Sequence, residues 1–369
     1  MFNPFLLLPL MVCSYEVLSL ILPLRISLPA KILASLILIS GLSRIFLLHR
    51  TPNGFEMYEL PHALMVVVTV IFNFIIVTLF LLLMKDFCQL FCRLILRKPF
   101  PNYHASLFVF SIALCATLYG TYEGLRLPDV KTHEVAIKNL GREFDGFKIA
   151  MIVDIHADSL TDREFVESLV ERTNALEPDL ILMPGDFVDG TVAARSSDLR
   201  PLKDLHSKYG VYGTTGNHEY YYDFYGWQKE LPRLGITMLN NEHIIITSGD
   251  SKLIIAGVPD QTGNDHDTAQ AVKDIPGNSP VILMDHRPSE APENSQHKIN
   301  LQLSGHTHGG QMPILYWIVR KFNRGFVRGW YDVNDMKLFV SPGTSQWNGF
   351  ALRLFDPAEI SLLVLKAKP

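Results

Sequence analysis

From Ala63 to Met84 the chain carries no charged side chain. A helix over that stretch has no polar face to turn toward water, and its length suits the ~30 Å hydrocarbon core of a bilayer, which takes about 20 residues. Three more apolar stretches surround it: Phe5 to Leu24, Ala30 to Leu48 and Ala105 to Tyr122. Together they predict an all-α transmembrane module of about four helices over residues 1–124. The first stretch also admits reading as a signal peptide, but it lacks a basic start and further apolar spans follow it. Hydrophobic residues make up 48% of the 369, and the excess lies almost wholly before residue 125. The four cysteines, Cys13, Cys88, Cys92 and Cys115, also fall there. They read as ordinary thiols, because the i, i+4 pair Cys88/Cys92 has no second Cys or His pair nearby to complete a zinc site.

The first and third inter-span loops are the more basic, through Arg25, Lys31, Lys85, Arg93, Arg97 and Lys98. That bias places them in the cytoplasm and the C-terminal part outside it. The formal net charge of −4 gives no basic field that would recruit nucleic acid.

Residues 125–146 read as a linker. Beyond them the pattern changes to short apolar runs separated by helix-like segments. FKIAMIV at Phe147–Val153, DLILM at Asp179–Met183, and the runs at 211–215, 244–247, 253–258, 281–284 and 301–303 read as strands. Helical segments are expected at 162–176, 223–234 and 268–274. This alternation predicts an α/β layered domain over 147–369.

Histidines and carboxylates recur where these strands end. Asp154 and His156 follow the first strand, Gly185-Asp186 the second, and Gly216-Asn217-His218-Glu219 the third. His286 follows VILMD, and Gly305-His306-Thr307-His308-Gly309-Gly310 closes the series. Residues two apart on an extended segment point the same way, so each two-apart pair is expected to reach one ion. Each group alone has an ordinary explanation: a turn, a loop pair or a packed histidine. Five of them at strand ends of one domain argue for a metal site. Mixed His, Asp and Asn ligands suit Mn²⁺, Fe or Zn²⁺, and neither a calcium cage nor a thiolate site.

The order D-x-H, G-D, G-N-H-E, lone His and G-H-x-H resembles the calcineurin-like metallophosphoesterases, and the texts GVYGTTGNHEYYYD, LQLSGHTHGGQ and LFVSPGTSQWNGFALRLFDPAEISLL resemble a membrane-anchored bacterial branch. The resemblance spans roughly residues 145–365. It implies a four-layer α-β-β-α sandwich and two divalent metal ions. Asp154, His156 and His308 would bind the first ion, Asn217, His286 and His306 the second, with Asp186 bridging them. It also implies hydrolysis of a phosphodiester or pyrophosphate by metal-activated water, with His218 acting on the phosphate or leaving group. Glu219 stands next to His218 as a candidate orienting group or structural residue. Asp158 is a candidate to orient His156.

Arg287 is unusual for the family and is a candidate phosphate contact. The segment Pro313–Val333, with Arg320, Lys321, Arg324 and Arg328, reads either as an interfacial or capping loop over an anionic lipid or as a strand pair with solvated basic residues. The expected substrate is a phospholipid or lipid-linked envelope compound. The alternatives are a soluble nucleotide, with the membrane serving only for location, or a non-catalytic scaffold with a structural metal site.

Overall fold

The computed structural model describes residues 4–44, 48–51, 54–57, 60–97, 101–347, 349 and 351–367. The chain divides into two compact units, one built mainly from residues up to 123 and the other mainly from residue 124 onward.

The first unit is helical. Its elements are α1 (Pro4–Glu16), which continues as a π-helical turn over Val17–Ile21, and then α2 (Leu28–Gly41), α3 (His62–Leu94) and α4 (Asn102–Leu125). In the chain between α2 and α3 come two short strands that pair with each other, β1 (Leu48–Thr51) and β2 (Gly54–Met57), of which Arg50–Glu56 groups with the second unit. Two of the described helices are long and apolar enough to cross a membrane, α3 and α4. Their 33 and 24 residues rise about 50 and 36 Å at ~1.5 Å per residue. Among the described residues, two of the four expected spans are thus matched by a helix of spanning length. α2 has 14 residues, about 21 Å, and falls short of the hydrocarbon core. Residues 45–47 of the second predicted span lie outside the described set. Pro9 sits inside α1, and the chain then passes into the wider π turn.

Polar side chains point into this unit. Asn73 Nδ2 donates to Thr121 Oγ1 at 2.9 Å and ties α3 to α4. Lys85 donates to Ser19 O at 2.7 Å, while Asp86 accepts from Tyr15 and Ser19 at 2.6 and 2.7 Å. All four cysteines are unpaired thiols.

The second unit contains two six-stranded sheets. Its elements in chain order are β3 (Asp129–Ile137), β4 (Lys148–Met151), α5 (Arg163–Asn174), β5 (Leu180–Pro184), α6 (Val192–Leu199), β6 (Val211–Thr214), α7 (Asn217–Tyr222), α8 (Phe224–Arg233) and β7 (Thr237–Met238). They continue with β8 (Glu242–Ser248), β9 (Ser251–Gly257), α9 (Thr268–Ala271), β10 (Val281–Met284), α10 (Ala291–Asn294), β11 (Leu301–Ser304), α11 (Pro313–Phe322), β12 (Gly329–Val333), β13 (Met336–Val340) and β14 (Glu359–Ala367). One sheet has the order β3-β14-β4-β5-β6-β7 and the other β12-β13-β11-β10-β9-β8. β4, β5, β6 and β7 run parallel, as do β9, β10, β11 and β13.

The packing follows from strand alternation. Ile149 and Met151 of β4 join a core shared with Ile255, Ile282 and Leu303 of the other sheet. Their neighbours Ala150 and Ile152 face the opposite way, into a second core with Val166, Leu169 and Val170 of α5 and Trp227 of α8. A third core lies on the far side of the second sheet, around Ile254, Leu283, Ala271 and Ala291. α5 illustrates the local logic. Asp162 caps its N-terminus by accepting from Glu164 N and Phe165 N, and Val166, Leu169, Val170 and Thr173 turn one stripe inward.

Residues 125–146 are more than a linker. β3 lies within them and pairs along its whole length with β14. It escapes sequence reading because an edge strand needs little apolar surface, and most of its residues are at least partly exposed.

Candidate metal centre

Every candidate ligand follows the carboxyl end of a parallel strand, where open α/β sheets concentrate ligand sites. Asp154 and His156 follow β4, Asp186 follows β5, Asn217 and His218 follow β6, His286 follows β10, and His306 and His308 follow β11. The backbone there is unusual. Asp154, His156, Asp186, His306 and His308 all have φ between 47° and 70°, a left-handed region that non-glycine residues seldom adopt and that concentrates at functional sites. This corrects the extended-segment argument. Asp154 and His156 lie beyond β4 in irregular backbone, and two left-handed turns bring their side chains together.

Hydrogen bonds between the loops hold that conformation. Asp154 N donates to Gly185 O at 3.2 Å, His156 N to Asp186 O at 3.1 Å, and Gly305 N to His286 O at 3.0 Å. His306 N is 3.1 Å from both oxygens of Asp154. Gly216 is required by close approach, because a Cβ there would strike the Asp186 carboxylate.

The side chains form three groups, each with ligand atoms within 4.8 Å of one another: Asp154, His156 and His308; His156, Asp189 and His218, which shares His156 with the first; and Asp186, His286 and His306. Asp186 Oδ2 lies 3.5 Å from His156 Nε2, 3.1 Å from His286 Nε2 and 4.0 Å from His218 Nε2.

Asp189 is the residue that sequence reading missed. Its Oδ1 meets Nδ1 of His156 at 2.9 Å and Nδ1 of His218 at 2.5 Å. Asp189, and not Asp158, is thus the carboxylate on His156 Nδ1. Asp158 Oδ1 instead accepts from Leu160 N and Thr161 N and folds the following turn. The clue was present in the text, since Asp189 stands three residues after Asp186 in GDFVDG.

Glu219 has a structural task. Its carboxylate is buried and accepts from Gly216 N at 2.7 Å, Phe187 N at 2.7 Å and Asp186 N at 3.1 Å. It locks the Asp186 turn to the His218 loop. The buried guanidinium of Arg353 ties together the segment after β13, reaching the carbonyls of Pro342 and Ser345 at 2.7 Å and of Asp356 at 3.0 Å.

Arg287, Arg324 and Arg328, all candidates for contact with an anionic substrate, differ in placement. Arg287 Nε bonds Asp260 at 2.8 Å and its NH2 bonds Thr262 at 2.9 Å, so most of its fork is engaged by the protein. Arg324 NH1 is held by both oxygens of Glu293 at 2.6 and 2.7 Å in an exposed pair. Arg328 pairs with Asp356, whose Cβ lies beside Gly309 in the His308 loop. Each of the three arginines is thus paired with a carboxylate of its own surroundings.

The electrostatics separate the histidines of the site. Burial pushes the His156 pKa down, but Asp189, Asp186 and Asp154 reverse this and raise it to about 9. His286 behaves alike: burial is outweighed by Asp186, Asp154 and Asp260, raising it to about 10. Burial, reinforced by cationic His286, lowers His306 to about 3. Burial alone would raise Asp189, but His218 and His156 hold it well below the usual carboxylate range.

The donor set fits divalent ions. Asn217 Oδ1 and His286 Nε2 are buried and have no hydrogen-bond partner among the described residues. Nε2 of His286 stays close to Asp186 without aligning for a bond. Nδ1 of His286 faces Pro184 O at 2.8 Å, which directs Nε2 toward a cation, as Asp189 directs His156. Nitrogen and carboxylate oxygen donors without thiolate suit Mn²⁺, Fe or Zn²⁺.

A family model for calcineurin-like phosphoesterases matches residues 147–310. An uncharacterized metallophosphoesterase of Campylobacter jejuni is 34% identical over 288 residues, covering 75% of this chain and 72% of that one. The chain belongs to the metallophosphoesterases. It is a metal-dependent phosphoric ester hydrolase by family. An uncharacterized metallophosphoesterase of Helicobacter pylori is 32% identical, covering 68% of this chain and 67% of the relative. A bovine transmembrane protein with a metallophosphoesterase domain is 34% identical over 69% of this chain, which spans 60% of that relative.

Proposed function

We propose that this metallophosphoesterase is a membrane-anchored phosphodiesterase or pyrophosphatase with a binuclear centre, acting on a phospholipid or lipid-linked substrate. The observation that carries the reading is the position of Asp186 Oδ2, within 4.0 Å of a histidine from each of the three groups. One carboxylate so placed suits a bridge between two cations. Asp154, His156 and His308 would hold one divalent ion, and Asn217, His286 and His306 the other. Bound there, such ions would supply Lewis acidity to phosphate oxygens and acidify water.

The chain's own residues account for the rest. Asp189 fixes the His218 ring and the tautomer with a proton on Nδ1. Nε2 is then the nitrogen left to meet the leaving oxygen, and it would donate there when the ring carries a proton on both nitrogens. The backbone N–H of His218 donates to Asp186 Oδ1 at 2.9 Å, so the acid and the bridging carboxylate are positioned as one piece. Glu219 keeps the Asp186 and His218 loops in register.

The lipid part of the reading is supported by α3 and α4, each long and apolar enough to span a bilayer. The segment between them carries Arg97 and Lys98, with Arg93 in the last turn of α3. That charge favours a cytoplasmic connection and an extracytoplasmic catalytic unit.

The test is hydrolysis of bis-nitrophenyl phosphate by the full-length protein in detergent, with Mn²⁺ added. Turnover that needs the metal and disappears in Asp186→Asn and His218→Ala is expected. Turnover that survives either substitution contradicts the assignment. Comparing phospholipids with soluble nucleotides under the same conditions decides the substrate class.

A further inference from the structure

The segment after the metal loop forms α11, an element that neither burial nor pairing explains. None of its residues is fully buried. Ile314, Trp317, Ile318 and Phe322 are 38, 65, 49 and 76% exposed. Their spacing of i, i+3, i+4 and i+8 puts them on one stripe of the helix. A water-soluble surface rarely keeps a contiguous stripe of this kind open. The helix is nonetheless firmly seated at its start. Pro313 occupies its first position, Tyr316 N donates to Met312 O at 3.0 Å, and Tyr316 Cα lies so close to Gly310 that a Cβ there would come within 2.8 Å of it. Gly310 follows His308 by two residues, so α11 is mounted on the metal loop.

Its far end is basic. Arg320 and Lys321 occupy the last turn, and the Arg320 guanidinium lies 5.6 Å over the Trp317 ring. A tryptophan beside cationic heads above an apolar stripe is the arrangement that rests at the headgroup level of a bilayer. Negative lipid would complement Arg320 and Lys321 at short range.

We propose that α11 docks on an anionic phospholipid surface, its apolar stripe set among the acyl chains, so that the metal loop is presented to the bilayer. This rests on the membrane reading above and deepens it. The bilayer is the partner, and α11 is the surface that meets it. The helix does not add a catalytic group. It sets where the site lies relative to the headgroups.

The experiment places the full-length protein in nanodiscs of phosphatidylcholine with a quarter phosphatidylglycerol, the acyl chains brominated to quench tryptophan. Wild type and Trp317→Phe are compared, with bis-nitrophenyl phosphate hydrolysis as the control for an intact site. Docking predicts that the lipid-dependent loss of emission falls at least about two-fold in Trp317→Phe, as for an interfacial helix, while hydrolysis is unchanged. Arg320→Gln combined with Lys321→Gln should weaken the quenching in the anionic discs and leave it unchanged in neutral ones. Equal quenching in both disc types with wild type would overturn the anionic part. A protein that enters the discs but shows no Trp317 quenching would overturn the docking alone. Trp317 shielded from both bromolipid and aqueous acrylamide would mean that a protein surface covers α11, which also overturns it. Failure to co-elute with the discs would instead sink the membrane reading on which the proposal rests.

Discussion

The two units differ in what they leave at the surface. In the catalytic unit the largest buried side chains include Trp227, Phe144 and Phe187, and the buried polar groups include the cluster of the site. In the helical unit Phe87, Phe108 and Leu83 lie outside, while Lys85, Asn73 and Thr78 are buried. The difference is the one expected if the helical unit meets lipid, as proposed above, and the other unit meets water. Apolar side chains turned outward cost little where the surroundings are also apolar, and polar ones turned inward tie helices together. α11 belongs to the catalytic unit by its hydrogen bonds and to the other pattern by its surface.

The strongest way to sharpen this contrast is at the polar cluster of the catalytic unit, where buried groups serve chemistry. His218→Ala should lower kcat by roughly 10²–10⁴ with metal content and melting temperature nearly unchanged, whereas a variant of Lys85 should leave hydrolysis alone. A large kcat loss in Lys85→Met would break the separation. Next in size are apolar truncations. Ile255→Ala, in the core between the sheets, should cost about 2–5 kcal/mol. Phe87→Ala, on the exposed face of α3, should cost well under ~1 kcal/mol because its surroundings are already apolar. Denaturation of the two variants in the same detergent reads both, and similar losses would refute the idea of two solvents.

A smaller, pH-dependent effect is expected at Glu359. Its carboxylate is buried between Lys131 at 2.9 Å and His133 at 3.1 Å. Burial alone would raise its pKa, but His133, Ser361 and Lys131 lower it from 4.5 to about 2. A lowered pKa stabilises the fold above the unfolded value, and the gain is lost as pH falls from about 4.5 toward 2. Glu359→Gln should therefore lose on the order of 2 kcal/mol at pH 7, and the gap to wild type should close in acid. A gap that stays constant with pH would show that packing, not charge, holds β14 to β3.

Much of the catalytic unit was legible. Val281–Met284 reads as a strand to the residue, because a continuous apolar run has no other good placement. The seven ligand candidates lie in the three groups or, for Asn217, directly beside one, because strand ends are visible as the last apolar residue before Gly, Asp or His. Three features were not legible. Left-handed φ at five ligand positions has no sequence signature beyond tolerant residue types. β3 was hidden by its polar alternation, DVKTHEVAI. Asp189 was passed over because Gly185-Asp186 was read as the whole motif. The stripe of α11 was in the text, but its aromatics and arginines also suit a loop or a strand pair. The helical unit was read only in part, because a window of hydropathy does not reveal where a helix ends.

The central claim is that the strand-end cluster holds two cations through one shared carboxylate, and metal content per chain tests it most directly. Purified wild type loaded with Mn²⁺ and passed through a desalting column should retain about two ions per chain, the number expected of a two-metal site. Asp186→Ala should retain less than one, and Glu359→Gln should match wild type. A folded, hydrolytically active wild type with one ion per chain, or an Asp186→Ala variant that keeps both, would contradict the account.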